Sequence, residues 1–572
     1  MAINHGYGEG VTIGDWLSVA FHGIRLDSVT ACYLLLVPIL ITFTSLFCKT
    51  FTLRKWLRPY YVLIAILLSV IFIADIVMYQ FWGAKIDAND LMYAEKPKEM
   101  LASVSVWFIL LGIATIGLVA FHYFRRLSHA TPQQTGPRPN GFWSLLLIPL
   151  LGLLFIGMRG GTGTSTANPS YAYHFEQPYL NHATLNPAFN MIHSLFKVDD
   201  LSAEFQFYSD EDLQRLTQGT YYQDATVETA LLNQSRPNIL LIIWEGGGSQ
   251  IILNDSVGSN YEQLRKEGVF FSNCYANNMR TDRGLVSILN GWPGLPTTSL
   301  MKSADKSRKL PALARELQKV GYATEFIYGG DADFTNMRCH LNESGFSNIY
   351  GIEHFPNNTE ICNWGIPDKY ILTLPYTTLS APYFSTILTL SSHEPWDVDF
   401  HKLQNKQLNA FAYTDSCLGA FITQLKHSKE WDNLLVIIIP DHGVALFDNQ
   451  YPSDYEVAKI PMLWIGGAIK HPAEITRLMN QSDLPATLLA QLGLDNSAFF
   501  FSRNILGTTY KQHHPFAVHA YKKGFNYIDT TGVTSFDCVD ESSVAYDTVD
   551  SAQRLERAKA NLQLIYRITG QL

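Results

Sequence analysis

The sequence has 572 residues, a formal net charge of −9 and only 16% charged residues against 47% hydrophobic ones, where ordinary soluble domains carry about 25% charge. Such a length exceeds one ordinary domain, and the mild acidity excludes the basic face that a nucleic-acid partner requires. Seven cysteines include no CxxC pair, which excludes zinc-ribbon and thioredoxin-type sites; Cys339 and Cys362 are the candidate bridge, against which the odd count speaks.

The shortage of charge lies in the first 160 or so residues, so residues 1–158 read as a membrane part. Four apolar runs approach the roughly 20 residues needed to cross a bilayer: Val29 to Cys48, Tyr60 to Trp82, Leu101 to Phe124 and Phe142 to Met158. No small-residue cleavage site follows a short apolar core near Met1, so none of them is a cleavable signal. Lys49, Arg54, Lys55 and Arg58 lie between the first two runs, and Arg125, Arg126 and Arg138 between the last two. These basic loops face the cytoplasm, which puts both termini and everything after Met158 outside. A chain that starts outside without a leading span predicts an earlier natural start and a fifth, preceding span. Asp75 falls late in the second run and reads as a carboxylate at the interface rather than an intramembrane functional group.

Residues 159–235 open with Gly160, Gly161 and Gly163, carry several prolines and read as a connector over the outer membrane face, with a short helical pattern at Glu211 to Thr217. At Asn238 the pattern changes. Asn238 to Trp244 is a continuous apolar run, the signature of a strand buried on both faces. Ala323 to Tyr328, Tyr383 to Leu390, Leu434 to Ile439 and Pro461 to Ile465 repeat it. Helical patterns alternate with these runs at Tyr261 to Glu267, Pro311 to Val320, Leu408 to Leu425 and Leu484 to Leu492. Residues 236–510 are therefore an α/β domain with a largely parallel sheet flanked by helices. Residues 511–572, with a strand-like Phe516 to Tyr521 and a helix at Ser551 to Ile568, extend that domain.

In such sheets ligands collect beyond the carboxyl ends of the strands. Glu245 ends the first run before three glycines, and Asp441-His442-Gly443 follows the run that ends at Pro440. Carboxylates and an imidazole gathered there suit a divalent cation. Arg280-Thr281-Asp282-Arg283-Gly284 precedes a helical stretch, whose N-terminus favours anions. Thr281 is thus either an N-cap or a hydroxyl activated by a metal. His393, in Ser391 to Trp396, suits a hydrogen bond to a phosphoryl oxygen or protonation of a leaving group. Asp331, Asp333, Asn336 and Arg338 suit a polar substrate pocket, with Arg338 reading phosphate.

The ordered set WEGGG, RTDRG, GGDADF, SSHEPW and PDHG resembles the lipoteichoic acid synthase-like phosphoglycerol transferase family of the alkaline phosphatase/sulfatase superfamily. The resemblance covers nearly the whole chain, and the Arg280 to Ser299 stretch with Gly291-Trp292-Pro293 is most similar to relatives in Gram-negative bacteria. It implies an N-terminal transmembrane helical bundle in the bacterial inner membrane and a periplasmic sulfatase-like domain. It also implies one Mn²⁺ or Mg²⁺ held by Glu245, Thr281, Asp441 and His442. Thr281 would be the nucleophile, His393 would assist it, and His393, Asp331, Arg338 and Arg283 would contact substrate. A phosphoglycerol group would pass from a phospholipid donor, through Thr281, to a glycan or glycolipid acceptor. The family often places a tryptophan beside the arginine where this chain has Thr335 or Asn336. Phosphoethanolamine transfer, hydrolysis of a phosphodiester or sulfate ester, and a silent membrane scaffold are the competing readings. Cys274, followed by Tyr-Ala-Asn-Asn, fails the CxPxR pattern of a true sulfatase.

Overall fold

The structure, a computed structural model, describes residues 10–47, 52–82, 85–86, 106–129, 145, 147–195, 201–373, 379–446, 450–451, 453–547 and 549–572. The chain divides into two compact units, Met1–Asp199 and Asp200–Leu572.

In the first unit, three helices among the described residues are long and apolar enough to cross a membrane, within Ile13–Phe47, Leu53–Trp82 and Val106–His129. The fourth expected span is a 13-residue helix, Leu147–Arg159, shorter than a bilayer requires; residues 142–144 and 146 lie outside the described residues, as do 101–105 at the start of the third. The first helix begins sixteen residues before the expected Val29. Its early polar residues are absorbed by neighbours. His22 stacks on His174 at 4.2 Å, Arg25 lies over the Tyr171 ring, and Asp27 accepts the Asn186 amide at 2.6 Å. Asp75 is likewise partnered within this unit. It is 1% exposed, 2.6 Å from the buried Lys85 ammonium, and accepts the Ile86 N–H. An uncompensated buried charge is costly, and pairing is what makes the position tenable. Cys339 and Cys362 are not joined by a disulfide, so the candidate bridge is not formed.

The second unit is built on nine strands: β1 Asn238–Trp244, β2 Val269–Tyr275, β3 Ala323–Tyr328, β4 Asn348–Tyr350, β5 Tyr383–Leu388, β6 Leu434–Pro440, β7 Lys459–Ile465, β8 Ala473–Ile475 and β9 Met479–Asn480. The order is β4-β3-β5-β1-β6-β7-β2-β8, with β9 beside β2. β4, β3, β5, β1 and β6 pair in parallel; β7 runs against both neighbours. Every residue of β1, β5 and β6 is buried. Because successive side chains point to opposite faces, both faces of the sheet are covered. Each buried Leu or Ile contributes about 2 kcal/mol. The C-terminal segment forms a four-stranded antiparallel sheet, β10 Phe516–Tyr521 to β13 Ser543–Ala545, followed by the helix Ser551–Gly570.

Candidate active site

β1 and β6 are adjacent and parallel, in a register that pairs Trp244 with Pro440. Glu245 and Asp441 therefore leave the sheet side by side, although they lie almost two hundred positions apart in sequence. The turn after β1 is fixed from both neighbours. The Glu245 N–H donates to Thr389 Oγ1 at 3.0 Å, and the Ser392 hydroxyl donates to the Glu245 carbonyl at 2.6 Å. The Gly246 N–H donates to Asp441 Oδ1 at 2.9 Å. Gly246 has φ +68°, a left-handed conformation that a β-carbon disfavours.

Thr281 is the first residue of the helix Thr281–Asn290, and its hydroxyl donates to Glu245 Oε2 at 3.0 Å. The helix reaches this position because Gly284 lets it press on the β6 turn. A β-carbon on Gly284 would stand 2.3 Å from the Asp441 carbonyl oxygen. Gln481 ties the two together, its amide donating to the Asp441 carbonyl at 2.9 Å and to the Gly284 carbonyl at 3.3 Å. Neither role was visible in the sequence. Gln481 sits next to β9, and no local motif marks it.

His442 bonds the Gly443 carbonyl through Nδ1 at 3.0 Å. A carbonyl only accepts, so Nδ1 carries the proton and Nε2 faces the carboxylates, 3.3 Å from Glu245 Oε1 and 3.6 Å from Asp441 Oδ2. The donor atoms of Glu245, Asp441 and His442 all lie within 4.8 Å of one another, and all three residues are buried. Burial disfavours an ionised Glu245, but the His442 contact, His393 and the Thr281 hydroxyl outweigh it and hold its carboxyl low. Burial and the charge of Glu245 push Asp441 up. Burial works against a charged His442, yet Asp441 and Glu245 raise it to about 10. Asp441 Oδ2 is buried and makes no hydrogen bond, which strands an acceptor in the interior. Two carboxylates, a hydroxyl and an oriented imidazole around that orphaned oxygen fit a divalent cation.

The structure treats the remaining expected residues differently. His393, in the loop after β5, is partly buried and close enough to Glu245 to lower its carboxyl. Asp331 follows β3. Its carboxylate accepts the Asp333 N–H at 3.0 Å, and the phenol of Tyr328, at the end of β3, is pushed up by burial and by Glu245, Asp331 and Asp441. Arg338 is buried and already held, donating to Asp333 Oδ1 at 2.8 Å and Glu353 Oε1 at 2.5 Å. Those contacts balance the guanidinium internally. Arg283 lies 3.6 Å from Asp282 and donates to the Thr298 carbonyl at 2.9 Å.

The Sulfatase family matches residues 237–494. Phosphoglycerol transferase I of Xanthomonas euvesicatoria pv. vesicatoria is 23% identical over 210 residues, which are 33% of this chain and 30% of that protein. The matched part thus spans less than a third of that relative. The lipoteichoic acid synthase-like protein YvgJ of Bacillus subtilis is 21% identical over 523 residues, 82% of each chain. A solved protein of the alkaline phosphatase superfamily from Vibrio parahaemolyticus superposes with a TM-score of 0.56 at 24% identity, covering 65% of this chain and 98% of its own. Residues 237–494 thus match the Sulfatase family and share the fold of that solved protein.

Proposed function

We propose that the protein is a membrane-anchored phosphotransferase that moves a phosphoglycerol-type head group from a phospholipid to an extracytoplasmic glycan or glycolipid, through a covalent intermediate on Thr281. One observation carries this reading: the Thr281 hydroxyl, at a helix N-terminus, is bonded to Glu245 inside a buried cluster of two carboxylates and an imidazole. The relatives that match, a phosphoglycerol transferase I and a lipoteichoic acid synthase-like protein, support the substrate class. The apolar helices of the first unit support the anchor, and the basic loops between the apolar runs support a catalytic unit outside the cytoplasmic, or inner, membrane.

Glu245, Thr281, Asp441 and His442 would hold one Mn²⁺ or Mg²⁺, which supplies Lewis acidity and a more acidic hydroxyl when bound. Thr281 Oγ1 attacks phosphorus, its O–P bond forms, and the bond to the diacylglycerol oxygen breaks. The hydroxyl directs its proton at the Glu245 carboxylate, which gives it a path away from the nucleophile. His393 is placed to donate to a phosphoryl oxygen or to protonate the departing diacylglycerol oxygen. The acceptor hydroxyl then displaces Thr281 from phosphorus and restores the threonine. Ser392 and Thr389 hold the Glu245 backbone in place. The test is diacylglycerol release from phosphatidylglycerol by the full chain in detergent with Mn²⁺. Release that disappears in Thr281→Ala supports the reading; release that persists in that variant refutes Thr281 as the nucleophile.

A further inference from the structure

The segment Thr389 to His393, directly after β5, is tied along its whole length, and the ties divide between Glu245 and Asp368. Thr389 and Ser392 hold the Glu245 backbone. Between them, Leu390 and Ser391 donate their N–H groups to Asp368 Oδ1 at 2.7 and 3.2 Å. The Asp368 N–H returns a bond to the Ser391 hydroxyl at 2.8 Å. Its second carboxylate oxygen, Oδ2, accepts the Thr414 hydroxyl at 2.6 Å, from the long helix Lys406–Lys426. Asp368 is fully buried.

Burial pushes the Asp368 carboxyl up, and the bonds from Thr414, Leu390 and Ser391 pull the other way. The loop is therefore part of what compensates the buried carboxylate, and the carboxylate satisfies two loop N–H groups in return. Displacing either strands the other in the interior. His393 ends a turn that begins at Leu390, its N–H donating to the Leu390 carbonyl at 3.0 Å. The ring is oriented by the Glu394 carbonyl, which accepts from Nδ1 at 2.7 Å and from the Trp364 indole at 2.6 Å. The Trp364 ring lies 4.4 Å from it, centroid to centroid. A carbonyl only accepts, so Nδ1 carries a proton and Nε2 is the nitrogen for substrate.

We propose that Asp368 is the positioning residue for His393. It acts through the loop: by fixing the N–H groups of Leu390 and Ser391 it sets where the turn starts, and the start of the turn sets where the imidazole stands. Ser392 meanwhile keeps the same loop in register with Glu245. The proposal rests on the phosphotransferase reading above. A displacement of about 1 Å at a group that must meet a transferring oxygen costs on the order of a hundredfold in rate, which gives a loop tethered on both sides a catalytic reason beyond stability. What the loop needs at position 368 is an acceptor rather than a charge. An Asn side chain would offer Oδ1 to the same two N–H groups and turn its amide toward Thr414 Oγ1, which as a hydroxyl can accept.

The test follows diacylglycerol release from phosphatidylglycerol by the full chain in detergent with Mn²⁺, for Asp368→Ala, Asp368→Asn and Ser391→Ala, each made alone and together with His393→Ala. Asp368→Ala should lower kcat by about tenfold to a hundredfold and leave KM nearly unchanged. Asp368→Asn should restore most of that loss. Ser391→Ala, which removes only the acceptor of the Asp368 N–H, should lose less in the same direction, and it carries the comparison by itself if Asp368→Ala does not melt cooperatively. Beside His393→Ala, the same changes should cost almost nothing further, because residues that act as a unit do not add. Losses that multiply with that of His393→Ala overturn the proposal and make Asp368 a support of the fold alone. A fall in Mn²⁺ affinity that accounts for the lost kcat also overturns it, by routing the effect through Glu245. Wild-type chain that releases no diacylglycerol and shows no adduct on Thr281 refutes the phosphotransferase reading itself, whereas active wild type with multiplying losses refutes this proposal only.

Discussion

Asp441 is pushed toward its protonated form by burial and by Glu245, and His442 by the carboxylates of Asp441 and Glu245 against the effect of burial; both must lose a proton to ligate a cation. The sign follows directly. Lowering the pH adds the protons that compete with the cation, so Mn²⁺ affinity of the full chain should fall as pH drops from roughly 8 to 6, with protons released on binding. Calorimetry in buffers of different ionisation enthalpy measures both, and an affinity independent of pH contradicts the assignment of these two ligands. The residues of this cluster were legible in the sequence because each stands where an apolar run stops: Glu245 before its glycines, Asp441-His442 after Pro440, Thr281 before a helix. Gln481 was not, nor were the partners of Arg338 and Trp364. Arg338's partner Glu353 lies fifteen residues on, Gln481 bonds residues forty and almost two hundred positions away, and Trp364 meets His393 across two loops. Local pattern carries no trace of such pairings.

At the scale of elements, the helix Thr281–Asn290 owes its position to one missing side chain. Gly284→Ala would set a β-carbon against the Asp441 carbonyl, forcing the helix or the β6 turn to shift. The expected cost is about 1–3 kcal/mol of stability, seen in thermal melts. Activity should fall far more than that loss explains, because Thr281 moves off Glu245. An alanine variant with wild-type kcat would show that the close approach is irrelevant. β1, β3, β5 and β6 were readable because strands buried on both faces leave unbroken apolar runs. β2 was not: Ser272 and Asn273 interrupt it, and a bulge falls between Phe271 and Cys274. β4, β8 and β9, two or three residues each, are too short to carry a period. The first apolar helix began earlier than its hydropathy indicated because Arg25 and Asp27 find partners within their own unit.

For the whole catalytic unit, acid should be destabilising through its buried histidines. His340 is fully buried, and burial with Arg315 nearby lowers it to about 4; its Nε2 has no hydrogen-bond partner. His519, also buried, is lowered to about 3 by burial and by His442. An unfolded chain binds protons at both positions below about pH 6.5, whereas the folded chain does not. Stability therefore declines as pH falls from about 6.5 to about 4, on the order of 3 kcal/mol for His340 alone. Thermal melts across that range should show the decline, and His340→Gln should flatten it; an identical slope in the variant contradicts the assignment.

The central claim is that Thr281 becomes covalently bound to phosphorus. The direct measurement is peptide mass spectrometry of the full chain after incubation with phosphatidylglycerol and Mn²⁺ in detergent. A phosphoglycerol adduct on the peptide containing Thr281, absent from Thr281→Ala, is the predicted result. Diacylglycerol release with the adduct on another residue, or persisting in Thr281→Ala, would contradict it.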